Sequence, residues 1–248
     1  LAQLPSPQGC VGRAHGGTCT LGRGLDAPLS VALSPDGRNV YVASFQSDPV
    51  SPSALAVFAR DEATGAIHHI PDLAGCFSEG GSGGRCWDGA GLGGPTALAV
   101  SPNGRQVYVV SPSTSEVAVL GRDPKTGLLF QRPIPEGCVS QRGSGGWCAT
   151  GAALRRPFSV AVSPDSRSVY VGARDDDAVA VFAQGRGLGA LVQLASPHGC
   201  ISGGDTGGTC AEGRALGDPR GVAVSRDGKH VYVAAQRSDA VAVLTRER

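Results

Sequence analysis

"SVALSPDGRNVYVAS", residues 30–44, places two short runs rich in valine and alanine on either side of Ser-Pro-Asp-Gly. Proline presets φ, and aspartate with glycine favours a chain reversal, so the stretch reads as a β-hairpin. It recurs as "ALAVSPNGRQVYVVS" from Ala97, "SVAVSPDSRSVYVGA" from Ser159 and "GVAVSRDGKHVYVAA" from Gly221. The serines that open the turns, Ser34, Ser101, Ser163 and Ser225, stand 67, 62 and 62 residues apart, and five extra residues, 49–53, lengthen the first interval. A fixed period that fills the chain signals a repeat architecture, read here as one domain, 1–248, of four repeats.

After each hairpin comes a third run, "ALAVFAR", "EVAVLGR", "AVAVFAQ" or "AVAVLTR", then a turn and a fourth run, clearest as "ALVQL" from Ala190. Four antiparallel strands per repeat make a propeller blade. The four tyrosines, Tyr41, Tyr108, Tyr170 and Tyr232, share one slot of the second strand, and Ala32, Ala99, Ala161 and Ala223 share one slot of the first. Small residues suit the strand nearest a crowded axis. The chain ends after a third strand and begins with "LAQLPSPQGC", which matches "LVQLASPHGC" from Leu191. The expected fold is therefore all-β: a four-bladed propeller whose last blade is completed by the N-terminal strand, leaving no open edge. The alternative is an eight-bladed ring made by two chains exchanging these strands; a monomer is favoured.

The "SPDGRNVYVAS" unit, followed by "AVFARD" and a Thr-Gly turn, resembles the repeat of the lactonase-like β-propellers and the related YVTN-type surface-protein propellers. The resemblance covers all four repeats and implies the scaffold. Those families usually have about seven shorter blades, and the cysteine loop carried by each repeat here departs from their pattern.

The eight cysteines form four near pairs: Cys10 with Cys19, Cys76 with Cys86, Cys138 with Cys148, and Cys200 with Cys210. Zinc knuckles want Cys-x2-4-Cys in groups, and redox pairs want Cys-x-x-Cys; neither spacing occurs. Local disulfides fit, which implies an oxidising compartment and a secreted, extracellular protein. The net charge of +1 carries no basic stripe for nucleic acid, and the short apolar runs exclude a membrane-spanning helix.

Other motifs lose to plainer readings. "GGSGG" at 80–84 spells a nucleophile elbow but sits inside a cysteine loop, and "GAGLGG" at 89–94 opens no helix that could hold a pyrophosphate. The five histidines fall at unrelated slots, so no metal site is expected. Asp175, Asp176 and Asp177 offer carboxylates to a cation such as Ca²⁺, but they lack calcium-loop spacing and read better as a solvated hairpin tip. Apart from that, no cofactor is expected.

A single site on a pseudo-symmetric ring must break the symmetry, so the repeats should differ where function lies. They differ before the first strand and between the second and third, connections that share one face around the channel mouth. Ligand-binding candidates there are Phe45, Thr96, Phe158, Arg174, Asp175, Arg220, Arg237 and Asp239, the arginines as an anion-binding set opposed by the aspartates. Trp87 and Trp147 either pack over their cysteine loops, the favoured reading, or present stacking faces to a ligand. No catalytic constellation stands out. The expected function is a binding or scaffold module for a small molecule, carbohydrate or protein. The alternatives are a lactonase-like hydrolase, on the resemblance alone, and a multivalent lectin with equal pockets beside the cysteine loops.

Overall fold

The computed structural model describes residues 1–12, 18–45, 53–185 and 189–246. The chain is all-β, with short 3₁₀ turns and no α-helix among these residues. The first repeat forms strands Pro28–Leu33, Asn39–Ser44 and Ala54–Arg60, joined as an antiparallel meander. The same meander recurs in Ala97–Val100, Gln106–Ser111 and Glu116–Arg122, then in Pro157–Val162, Ser168–Ala173 and Ala178–Gln184. The last copy is Pro219–Val224, His230–Ala235 and Ala240–Thr245. The two slots picked out by the repeats are cross-strand partners, Ala32 facing Tyr41 and Ala99 facing Tyr108.

The fourth strand is split. In the third repeat Leu191–Gln193 pairs with the far half of Ala178–Gln184, and Cys200–Ser202 pairs with the near half. The Pro-Gly turn between them interrupts the ladder, and the cysteine segment resumes it. The loop returns as Ala211–Glu212, parallel to Cys200–Ser202. The cysteine loop is thus part of the sheet rather than an appendage to it. All four expected disulfides are formed, each closing a separation of 9 or 10 residues.

The N-terminal strand does not complete the last blade. Residues 1–4 are exposed and belong to no strand, and the last sheet has three strands. The segment forms a turn, with the Gly9 amide donating to Pro5 O and Gln3 Nε2 to Gly9 O. Its cysteine loop, paired as Val11–Gly12 with Thr20–Leu21, instead lies on the first blade, where Val11 packs on the cluster of Val40, Val42, Ala56 and Phe58. Local sequence reproduces the turn; it does not supply a docking partner.

The four blades follow one another in an arc, their inner strands adjacent in chain order. Apolar side chains from successive sheets pack into the seams between blades, where Tyr41 and Tyr108 are fully buried. At the ends of the arc the pattern changes: Val31 is 66% exposed on the first blade, and Tyr232, Val241 and Val243 stand exposed on the last. Inner-strand packing runs from the first blade to the second, the third and the last, and no sheet closes on itself; the closed four-bladed ring expected from the sequence is not what this packing shows.

Candidate ligand-binding mouth

The site begins with two prolines. Pro157 and Pro219 open their inner strands without an N–H, and the ladder slips by one residue just after each, between Pro157 and Ser159 and between Pro219 and Gly221. Such bulges re-aim the extra residue. The extra residues are Phe158 and Arg220, and the guanidinium of Arg220 lies over the Phe158 ring, 5.1 Å from its centroid. Arg174, just after the second strand of the third blade, lies over the same ring at 5.1 Å.

Both arginines meet one carboxylate. Arg174 Nε donates to Asp218 Oδ1 at 2.7 Å, while Arg220 donates through Nε and Nη2 to its two oxygens at 3.0 Å each. Burial alone would raise the Asp218 carboxyl, but the hydrogen bonds from Arg174 and Arg220 outweigh it and hold the group below the ordinary aspartate range. Asp177 accepts from the Asp218 amide at 2.8 Å and from Arg237. Asp177 and Asp218 both have positive φ, which their short side chains tolerate. Two arginines thus lie over one aromatic ring and share Asp218, a third, Arg237, pairs with Asp177, and the hydrogen bonds described for Arg174 use only Nε, which leaves its Nη donors for a ligand.

The structure therefore brings together Phe158, Arg174, Arg220 and Arg237, with Asp218 and Asp177 as the opposing carboxylates. Asp175 lies 3.8 Å from Arg156 instead, and Asp239 occupies an exposed turn. Sequence comparison among the repeats passed over Asp218 because it sits one residue before Pro219, outside the aligned hairpin. The three carboxylates weighed for calcium diverge: Asp176 to Arg155, Asp177 to Arg237 and Asp175 to Arg156. Among the described residues no three His, Cys, Asp or Glu side chains are grouped to hold a metal ion.

Thr96 and Phe45 lie toward the other end of the arc. The Thr96 hydroxyl is buried without a partner, and Phe45 borders a recess of about 340 Å³ with Glu79, Gly94, Ser113 and Thr114. Most of the 45–53 loop, like His15, lies outside the described residues. Trp87 and Trp147 are 51% and 63% exposed, so a large part of each ring faces solvent. The recesses beside the cysteine loops are unequal: one is lined by Glu79, Asp88, Glu116 and Trp147, another by Gln141, Asp175, Asp177 and Thr206. These two recesses therefore differ in the side chains that line them.

A four-repeat arc of meanders with this repeat is a β-propeller scaffold, and comparison identifies its family. The chain belongs to the lactonase family described as a 7-bladed β-propeller, whose model matches residues 90–248. By sequence, none of the curated proteins matches. Among solved structures, a protein of Bacteroides uniformis, provisionally assigned as a 6-phosphogluconolactonase, is similar at a TM-score of 0.62 and 19% identity, over 92% of this chain and 55% of its own. A Lactobacillus plantarum protein gives 0.58 and 20%, over 91% and 55%, and the hydrazine synthase of Kuenenia stuttgartiensis 0.53 and 18%, over 94% and 49%. At these identities the likeness is one of fold, and this chain spans about half the length of each. The four disulfides mark an oxidising environment, extracellular or periplasmic. Among the described residues no helix is long and apolar enough to cross a membrane.

Proposed function

We propose that this chain is a secreted ligand-binding propeller unit and that its ligand is a small organic anion held at the mouth by Arg174 and Arg220. The observation that carries the reading is that both guanidiniums stack on Phe158 and share the single carboxylate of Asp218. Stacking fixes the planar donors before a ligand arrives, so less side-chain freedom is lost on binding. A carboxylate or phosphate can then accept the remaining N–H groups in a forked geometry.

A second reading is hydrolysis of a sugar-acid lactone, supported by family membership. The hydroxy-carboxylate product of such a reaction is the kind of anion the arginine pair suits. One experiment separates the two. Calorimetry with gluconate, 6-phosphogluconate and glucose should give binding of the anions alone, weakened about tenfold or more by Arg174→Ala. Acid release from gluconolactone above the spontaneous rate would add the hydrolase. No anion binding, or binding unchanged in Arg174→Ala, would remove the mouth as the site.

A further inference from the structure

The first position of the third strand is Ala54, Ala178 and Ala240 in three repeats; in the second repeat it is Glu116. Alanine fits there without a polar group to satisfy. Glu116 is 5% exposed, and one of its oxygens, Oε2, is buried with no hydrogen-bond partner; the other accepts from Ser144 Oγ. A buried carboxylate oxygen left unpaired is costly, and the fold has no need of it.

The carboxylate lines a pocket of about 510 Å³ on the seam between the second and third cysteine loops, Cys76–Cys86 and Cys138–Cys148. Glu79, within the second loop, and Asp88, just after it, also line the pocket, Asp88 fixed by the Gly80 amide at 2.9 Å. Burial, then the nearby Glu116 and Asp88, raises the Glu79 carboxyl above its usual range. The cation on its wall, Arg132, is already paired with Glu136 at 2.7 Å. Gln131 is also fully engaged, with Ala90 and with Gly137 O. The pocket also has open apolar lining: Ile134 and Trp147 are 51% and 63% exposed.

On the next seam the counterparts at these four positions are Gln141, Thr150, Ala178 and Thr209, none a carboxylate or an aromatic ring; Asp175, Asp176 and Asp177, which line the recess there, are each paired with an arginine. Acidity and tryptophan therefore occur together at one seam, where the repeat symmetry is broken. We propose that this pocket binds an organic ammonium ion, its charged nitrogen against Glu116, Glu79 and Asp88 and its hydrocarbon part against Trp147 and Ile134. Carboxylates supply charge-assisted acceptors, and the indole face favours a cation beside it. The site is separate from the arginine mouth and takes the opposite charge.

The test is calorimetric titration of the oxidised protein with benzylammonium chloride and, in parallel, with benzyl alcohol. The ammonium ion should bind at one site and the alcohol should not compete. Glu116→Ala and Glu116→Gln should each weaken binding about tenfold, the worth of a charged hydrogen bond. Trp147→Thr, the residue of the next seam, should weaken it severalfold. Without ligand, Glu116→Ala should leave the thermal midpoint unchanged or raised, because alanine serves the other three blades. Absence of ammonium binding at millimolar concentration, equal binding of the alcohol, or unchanged affinity in both Glu116 variants would overturn the proposal. A clear fall in the unliganded midpoint of Glu116→Ala would also overturn it, by assigning the carboxylate to the fold.

Discussion

Arg122, at the end of the second blade's third strand, reaches across the seam to Asp36 in the first blade's hairpin turn, 2.8 Å away, with its own side chain 1% exposed. It also donates to Tyr41 Oη at 2.7 Å, Asn39 Oδ1 at 2.8 Å and Gly104 O at 3.0 Å. One guanidinium therefore ties two blades through four partners. Arg122→Gln, the residue the third blade carries as Gln184, should lower stability by about 1–3 kcal/mol, because it removes the guanidinium from the partly exposed Asp36 carboxylate and from buried Tyr41 Oη and Asn39 Oδ1. Urea unfolding at neutral pH measures this; a change below about 0.5 kcal/mol would make the clamp ornamental.

The same clamp sets an acid limit. Burial alone would raise the Asp36 carboxyl, but hydrogen bonds from Ser34, Arg122 and the Arg38 amide bring it to about 2, below the ordinary 3.8. Asp165, held by Ser163 and Arg246, also lies at about 2. The folded state binds these protons more weakly than the unfolded chain, so the contribution is fully present above pH 3.8 and is lost as pH falls toward 2. Stability measured from pH 5 downward should decline through that window, and Asp36→Asn should flatten the decline.

Each disulfide closes 9 or 10 residues of separation. Removing Cys200 and Cys210 together by alanine should cost about 2–3 kcal/mol through the wider unfolded ensemble. Thermal melts of wild type with and without reductant should show a larger drop than the double variant alone, since three more bridges are opened.

At the mouth, Asp218→Asn removes the carboxylate that both arginines share. Gluconate should then bind about threefold to tenfold more tightly, while the melting point falls because Arg174 loses its partner. Weaker binding in this variant would mean that Asp218 serves the ligand rather than competing with it.

The open ends of the arc make a paired prediction. Val119 is fully buried in an inner seam, whereas its counterpart Val243 on the last blade is 60% exposed. Val119→Thr should cost about 1–3 kcal/mol by burying an unmatched hydroxyl, and Val243→Thr less than about 0.5. Equal costs in denaturant melts would show that the last blade is covered in solution.

What the sequence disclosed was whatever repeats at short range. The hairpins, the Ala32 and Tyr41 slots, and the four disulfides follow from patterns within 15 residues or so. The inter-blade clamp was not visible because Arg122 and Asp36 are 86 positions apart, although arginine at the third-strand end in Arg60, Arg122 and Arg246 was a usable signal. Glu116 was equally present, as the one departure from alanine at its slot, but nothing in a strand pattern says whether such a departure is buried. The N-terminal strand failed for the opposite reason: its local match to residues 191–200 was real, but pairing needs a neighbour that local sequence does not provide. Of the mouth, Phe158 and the arginines were legible as repeat differences; Asp218 was not, because it precedes Pro219 and lies outside the aligned hairpin.

The bridges also have a mechanical consequence. All four close short loops inside their own repeat, and none links one blade to another. Pulled from its two ends, the oxidised chain can therefore peel blade from blade and release most of its contour, at roughly 3.3–3.6 Å per residue. Each bridge withholds only a separation of 9 or 10 residues. Oxidation protects the chain against heat far better than against tension.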